Sequence, residues 1–304
     1  QGVVRLGWWI LPRLPRSWID SLADALGPLY LRLAGRDRAV MRANLDLVFG
    51  TPDTPGARRS RRRLERDIGR NAVRVLLDCF WFARDTQRRL QALVTLDAGA
   101  EALARGTGAC VAVTGHLGTW ELVSQSLCLG GRRGTSVYAP IGSSVTQRFL
   151  LRLRHQNGQE LVPREGALVP LLRALKRGDI VGMLLDQRTP LHEGGMFVDF
   201  LGRRTTMSKA AGMLAVRMGV PVHLLLCRYR GAGRYRVERF RSLPPGHGLA
   251  ADAVSQWVAD ALGDAVREMP GQWLWMYRRW RHVPPGEDPA AYPFYARPFD
   301  PACD

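Results

Sequence analysis

From residue 110 onward, short apolar runs rich in β-branched residues alternate with stretches of helical spacing, and this alternation narrows the possible folds more than any other feature. "CVAVTGH" (110–116), "SVYAP" (136–140), "ELVP" (160–163), "DIVGMLLDQ" (179–187), "VPVHLLLCRY" (220–229) and "RYRVERF" (234–240) read as strands. Segments 119–129, 145–157, 167–177, 207–218 and 252–268 read as helices. Strands that alternate with helices pair in parallel and bury both faces, so the expected class is α/β: a mainly parallel central sheet flanked by helices. "RGAG" (230–233) between the last two strands signals a hairpin, which predicts an antiparallel pair at that edge.

The first 95 or so residues differ. Residues 18–34 and 36–48 and the longer region 58–90 have helical spacing, with Val73, Leu76, Leu77, Phe80 and Trp81 on the back half of the last. The division expected is a helical, membrane-associating region over 1–95 packed on an α/β core over 96–304. The opening stretch mixes Trp8, Trp9, Ile10, Leu11 and Trp18 with Arg5, Arg13, Arg16 and Arg32. Aromatics beside arginines, on apolar stretches too short to span a bilayer, suit a membrane interface. An amphipathic helix packed on the core is the other reading.

In sheets of this kind the working residues gather where strands end and helices begin. Three such junctions carry polar groups: His116, Arg164, and Asp186 with Gln187. His116 is followed five residues later by Glu121. Inside one helix the two would lie about 140° apart and never meet. With His116 in the loop and the helix starting near Gly118, Glu121 can hydrogen-bond one ring nitrogen and leave the other free to take a proton. No G-x-S-x-G nucleophile is present. A histidine–acid pair without a protein nucleophile suits activation of a substrate hydroxyl.

The net charge is +17, from 44 basic and 27 acidic residues, and Lys176 and Lys209 are the only lysines. That charge draws the chain toward anionic lipid, an acidic carrier protein or nucleic acid. The run "RRSRRR" (58–63) is the best case for the last, but no helix-turn-helix, zinc-finger or RNP signature accompanies it, so nucleic acid is not the expected partner. The five cysteines form no C-x-x-C pair and read as buried thiols. "LHEGG" (191–195) gives too few ligands for a metal.

"TGHLGTWEL" (114–122) resembles the H-x-x-x-x-D/E motif of glycerolipid acyltransferases. It is more narrowly similar to the form found in the bacterial lipid A late acyltransferases. "VMRANLDLVFG" (40–50), "LVPREGALVPLLRALKRGDIVGMLLDQ" (161–187), "GGMFVDFLGRRTTMSKAAGMLAVRMGVPV" (194–222) and "PGQWLWMYRRWRHVPPGE" (270–287) resemble further segments of that family, in its order. Thr119 stands where asparagine is usual, and Tyr277 where histidine is common. The resemblance implies a glycerolipid-acyltransferase-like fold and an O-acyltransferase that needs no metal or cofactor, its acyl-carrier thioester being a co-substrate. It implies His116 as base and Glu121 as its partner. Arg164 is the candidate oxyanion donor, and Asp186, Gln187, Arg203 and Arg204 are candidates for holding substrate; 203–206 read as a loop. The implied partners are acyl carrier protein, a glycolipid acceptor and the cytoplasmic face of the bacterial inner membrane. A phosphatidylinositol mannoside is the alternative acceptor, and a basic nucleic-acid or anionic-lipid binder the alternative outside enzymes.

Overall fold

The computed structural model describes residues 7–139, 151, 154 and 159–300. The amino-terminal third is helical: α1 (Arg16–Leu33), α2 (Gly35–Phe49), α3 (Pro55–Trp81) and α4 (Thr86–Leu93). Thr54 caps α3 by accepting from the Ala57 amide at 3.1 Å, with Pro55 at the first helical position. Ala98–Arg105 forms α5, capped by Asp97.

Seven strands form the central sheet: β1 (Val94–Leu96), β2 (Cys110–Thr114), β3 (Gly134–Tyr138), β4 (Gln159–Pro163), β5 (Ile180–Leu184), β8 (Val222–Gly231) and β9 (Arg234–Leu243). Their order is β1-β9-β8-β2-β5-β3-β4, and every pair is parallel except β8 with β9. The hairpin at 230–233 is therefore present, but β8 and β9 are not the rim. β1, too short to stand out in the sequence, pairs parallel to β9 outside them. β2 is fully buried, and its unbroken apolar run fits a strand covered on both faces.

Helices α7 (Leu168–Lys176), α8 (Ala210–Met218) and α9 (Ala251–Glu268) put Leu171, Leu175, Leu214, Val258 and Leu262 into the core on one face. α6 (Glu121–Cys128) and the amino-terminal helices cover the other with Leu122, Leu127, Ile19, Ala23 and Leu77. Segment 145–157, expected to be a helix, lies outside the described residues apart from Leu151 and Arg154, and so does Cys303. The other four cysteines are buried free thiols.

Residues 203–206 are not a loop. They begin β7 (Arg203–Ser208), which pairs antiparallel with β6 (Gly195–Phe200) in a separate ribbon. The two strands are joined by a tight link at Leu201 and Gly202, both at positive φ.

The helical region is fastened to the far end of the chain. Asn44 donates to the carbonyls of Trp275 at 2.8 Å and Tyr277 at 2.9 Å, and Asn71 to that of Gln272 at 3.0 Å. Each bond satisfies a backbone acceptor in a segment with little regular structure of its own. Two minor strands, β10 (His282–Val283) and β11 (Arg297–Pro298), close the carboxyl end.

Candidate active site

β2 and β5 are neighbours in register, with Thr114 opposite Leu184. Two residues beyond each partner stand His116 and Asp186, so the sheet itself sets them face to face. Asp186 Oδ1 lies 2.8 Å from His116 Nδ1, and Oδ2 accepts the His116 backbone amide at 2.9 Å. The Trp273 indole donates to Oδ2 at 2.8 Å. The Leu274 amide donates to the His116 carbonyl at 3.1 Å, so segment 272–275 braces the histidine from behind.

Asp186 is 2 % exposed. Burial pushes its carboxyl up, but the charge of His116 and the bonds from the His116 ring, the Trp273 indole and the His116 amide outweigh it. The net result is a carboxyl below the usual range. An ionised acid on Nδ1 fixes the proton there and leaves Nε2 as the basic nitrogen. Nε2 is 3.4 Å from Gln187 Nε2, and the His116 side chain keeps 17 % exposure. The arrangement holds an imidazole in one tautomer, with its basic edge toward the carboxyl rim of the sheet.

The motif glycines make this geometry possible. A Cβ on Gly115 would sit 3.1 Å from the Asp186 carboxyl carbon. Gly118, at φ +55°, would place a Cβ 1.8 Å from the Cys227 carbonyl oxygen, so any side chain there is excluded by both conformation and space. Thr119, where the resemblance expects asparagine, donates to Asp78 Oδ2 at 2.9 Å. Asp78 is completely buried, pairs with Arg16 at 2.6 Å and accepts from the Tyr235 hydroxyl. Burial raises the Asp78 carboxyl, and Arg16, Tyr235 and Thr119 pull it partly back. Arg16, Asp78 and Tyr235 thus anchor the loop carrying His116, so Arg16, expected at a membrane interface, instead serves the interior as the cation of buried Asp78.

Glu121 is not the partner of His116. Both of its oxygens are taken by Arg154, at 2.8 Å from Nε and 2.5 Å from Nη2. Glu121 opens α6, and Asp186 already occupies Nδ1. Trp120, the residue before Glu121, sets its ring edge-on to His116 at 4.6 Å. Arg154 lies in a stretch whose sequence singles out no arginine over its neighbours.

Arg164 lies on the same rim but beyond β4, the outermost strand, three strands from β2 and so about 14 Å across the sheet. It is half exposed and paired with Glu193 rather than set beside His116. Arg203 donates to the Ala291 carbonyl at 3.2 Å, and Arg204 stacks 5.0 Å from the Phe197 ring, so both serve the ribbon and the carboxyl-terminal segment. Only His116, Asp186 and Gln187 of the expected site come together. Trp273, which completes them, sits in a Trp-rich segment in which Trp273, Trp275 and Trp280 are all buried. His192 and Glu193 approach to 3.7 Å with Arg164 alongside, and among the described residues no group of three or more His, Cys, Asp or Glu side chains is placed to hold a metal.

A slot opens beside this centre, between α6 and the sheet. It is lined on the helix side by Trp120, Val123, Ser124, Leu127 and Cys128, and on the sheet side by Ala112, Thr114, Gly134, Ser136, Ile180, Gly182 and Leu184. Trp120 therefore touches His116 with its ring and lines the slot.

Two comparisons bear on what such a centre does. The sequence model of the family described as "Bacterial lipid A biosynthesis acyltransferase" matches residues 3–282. The lipid A biosynthesis lauroyltransferase of Escherichia coli (strain K12) is 23 % identical over 287 residues, covering 91 % of this chain and 90 % of that protein.

Proposed function

Because this chain belongs to the bacterial lipid A biosynthesis acyltransferase family, we propose that it moves a fatty acyl group from the thioester of acyl carrier protein to a hydroxyl of a lipid A precursor, with His116 as the base. The observation that carries the reading is the buried Asp186 carboxylate on His116 Nδ1, which leaves Nε2, 3.4 Å from the Gln187 amide, as the basic nitrogen.

Nε2 takes the proton of the acceptor hydroxyl as its oxygen attacks the thioester carbonyl. A C–O bond forms, and the carbonyl electrons move to oxygen. The Gln187 amide, 3.4 Å from Nε2, is the donor assigned to that oxyanion. The intermediate collapses with cleavage of the C–S bond, and the departing thiolate recovers the proton from His116. Asp186 holds the imidazolium between the two transfers. Glu121 and Arg154, at the lip of the slot, position the thioester end of the donor. Arg164, farther along the rim, is directed to the anionic groups of the acceptor.

The setting at the cytoplasmic face of the inner membrane is supported by α1. Its residues Trp18, Leu26, Leu29 and Leu33 fall within about 80° of one another around the helix. All four face outward, Trp18 at 60 % and Leu33 at 78 % exposure, beside exposed Arg13, Arg32 and Arg36. An outward apolar stripe with arginines at its ends suits anionic lipid. Among the described residues no helix is long and apolar enough to cross a membrane.

The test uses purified protein, labelled acyl–acyl carrier protein and a Kdo–lipid A precursor, comparing wild type with His116→Ala. Product from the wild type and at least a thousandfold less from a folded variant supports the reading. Equal product from both removes His116 as the base.

A further inference from the structure

Arg279 is completely buried, yet the fold uses little of it. It belongs to the tryptophan-rich segment that braces His116, just before Trp280. Its Nη1 donates to Thr205 Oγ1 at 2.9 Å and to the Thr206 carbonyl at 2.7 Å, both on β7. Its Nε and Nη2 have no hydrogen-bond partner among the described residues. A neutral amide could make the two bonds to β7. A guanidinium there takes a full charge out of water, which is costly unless another charge answers it.

The surroundings show which charge does. The guanidinium lies over the Phe200 ring, 4.9 Å from its centre. Phe200 packs on Trp273 at 5.8 Å, and the Trp273 indole donates to Asp186 Oδ2 at 2.8 Å. This chain of contacts keeps Arg279 within about 15 Å of the carboxylate, through buried aromatic rings where charges are screened little. The groups whose charge acts on Arg279 are Asp186, the phenols Tyr277 and Tyr295, and Arg188, and Asp186 is the carboxylate among them. Burial holds the Tyr295 phenol well above its usual range, and its hydroxyl is bonded to Asn44. Arg188 lies 3.4 Å from the ring of His282, which also accepts from Arg297 at 3.0 Å. Asp186 itself is faced by His116 and Trp273. Burial lowers the Arg279 guanidinium to about 10, so it remains a cation at neutral pH.

A carboxylate beside an imidazole favours the imidazolium. A ring that is already protonated cannot take the proton of a hydroxyl. A cation in the same buried cluster acts the other way on the pair: it holds the acid ionised and opposes a second positive charge on the ring. Asp186 can then orient Nδ1 without fixing a proton on Nε2.

Resting on the acyltransferase reading above, we infer that Arg279 is a positioning residue for the transfer, a buried counter-charge to Asp186 that keeps the acid ionised and His116 in its accepting form. It acts on the histidine through Asp186 and the field between them. At an effective dielectric near 20, a unit charge removed from about 15 Å shifts a titrating neighbour by about 0.8 pH unit, and from nearer by more. Half a unit is the least that the geometry allows.

The experiment follows the His116 ring by NMR titration in the wild type, Arg279→Met and Thr205→Val, its signal identified by its loss in His116→Gln. Methionine fills the space without the charge, and valine at 205 removes one bond to Arg279 and leaves the charge. Arg279→Met should move the midpoint up by at least half a unit, and the acid limb of kcat/KM with it. On that limb the variant should fall at least threefold further below its own plateau than the wild type does. Thr205→Val should leave midpoint and limb in place. An arginine that only ties the segment to β7 would lower the plateau in both variants and move neither limb. A midpoint that stays put in Arg279→Met, or moves equally in Thr205→Val, overturns the counter-charge and leaves the acyltransferase reading standing. If the wild type transfers no acyl group, that reading fails, and the NMR titration still decides whether the charges are coupled. If Arg279→Met does not fold, urea unfolding of Arg279→Met/Asp186→Asn decides. A double variant that regains a cooperative transition supports the pairing of the two charges, and one that stays unfolded overturns it.

Discussion

Replacing Asp186 by asparagine changes one atom at the centre of the site, and the structure dictates how the replacement must sit. Oδ2 accepts two donors that cannot reverse, the His116 amide at 2.9 Å and the Trp273 indole at 2.8 Å. The asparagine oxygen is therefore held at that position, and its NH2 falls where Oδ1 was, 2.8 Å from His116 Nδ1. An NH2 there donates to Nδ1, so the ring proton moves to Nε2 and the basic nitrogen is turned away from the acceptor. The same change of tautomer in the Ser-His-Asp triad costs about 10⁴ in kcat. We expect a loss of about 10³–10⁴ in kcat here, about 4–5.5 kcal/mol in the barrier. All three hydrogen bonds survive, so the fold should lose only about 1–2 kcal/mol. Acyl transfer measured at saturating donor and acceptor, alongside urea unfolding of the same preparation, separates the two. An Asp186→Asn enzyme with kcat within tenfold of wild type refutes the assignment, most plainly if Glu121→Gln abolishes turnover under the same conditions.

Other consequences follow from the packing. Gly118→Ala should cost at least ~3 kcal/mol and abolish activity, because its Cβ would overlap the Cys227 carbonyl at 1.8 Å; thermal melting reports the first and acyl transfer the second. Arg16→Met strips completely buried Asp78 of its cation and should destabilise the protein by about 3–5 kcal/mol, with Arg16→Met/Asp78→Asn recovering part of the loss in denaturant unfolding. His223 is 7 % exposed, and burial, with Arg239 nearby, lowers its imidazole to about 4. The neutral ring is the form that folds, so its contribution is complete above the unfolded value near 6.5 and is lost as pH falls toward 4, by up to about 3 kcal/mol. His223→Gln should flatten the stability curve over that window; an unchanged acid limb would count against a buried neutral histidine.

The alternation of apolar runs with helical stretches fixed the α/β class, because each period reports how an element buries its own face. It also placed His116 at the mouth of β2 and Asp186 and Gln187 at the mouth of β5, since an apolar run that stops in Thr-Gly-His or Asp-Gln shows where a strand ends. A carboxylate closing so apolar a strand was itself a signal, because a buried charge needs a partner.

Which strands are neighbours was decided only by the tertiary structure. Local sequence shows where strands lie but not their order, and here β5 crosses over to lie between β2 and β3. That crossover brings an acid from 70 residues away onto His116 and leaves Glu121, five residues away, to Arg154. The same holds for Trp273, for Asn44 on the carbonyls of Trp275 and Tyr277, and for Arg16 and Asp78 behind Thr119. Each is a contact between distant segments, formed because a buried polar group must find its complement wherever the packed chain supplies one.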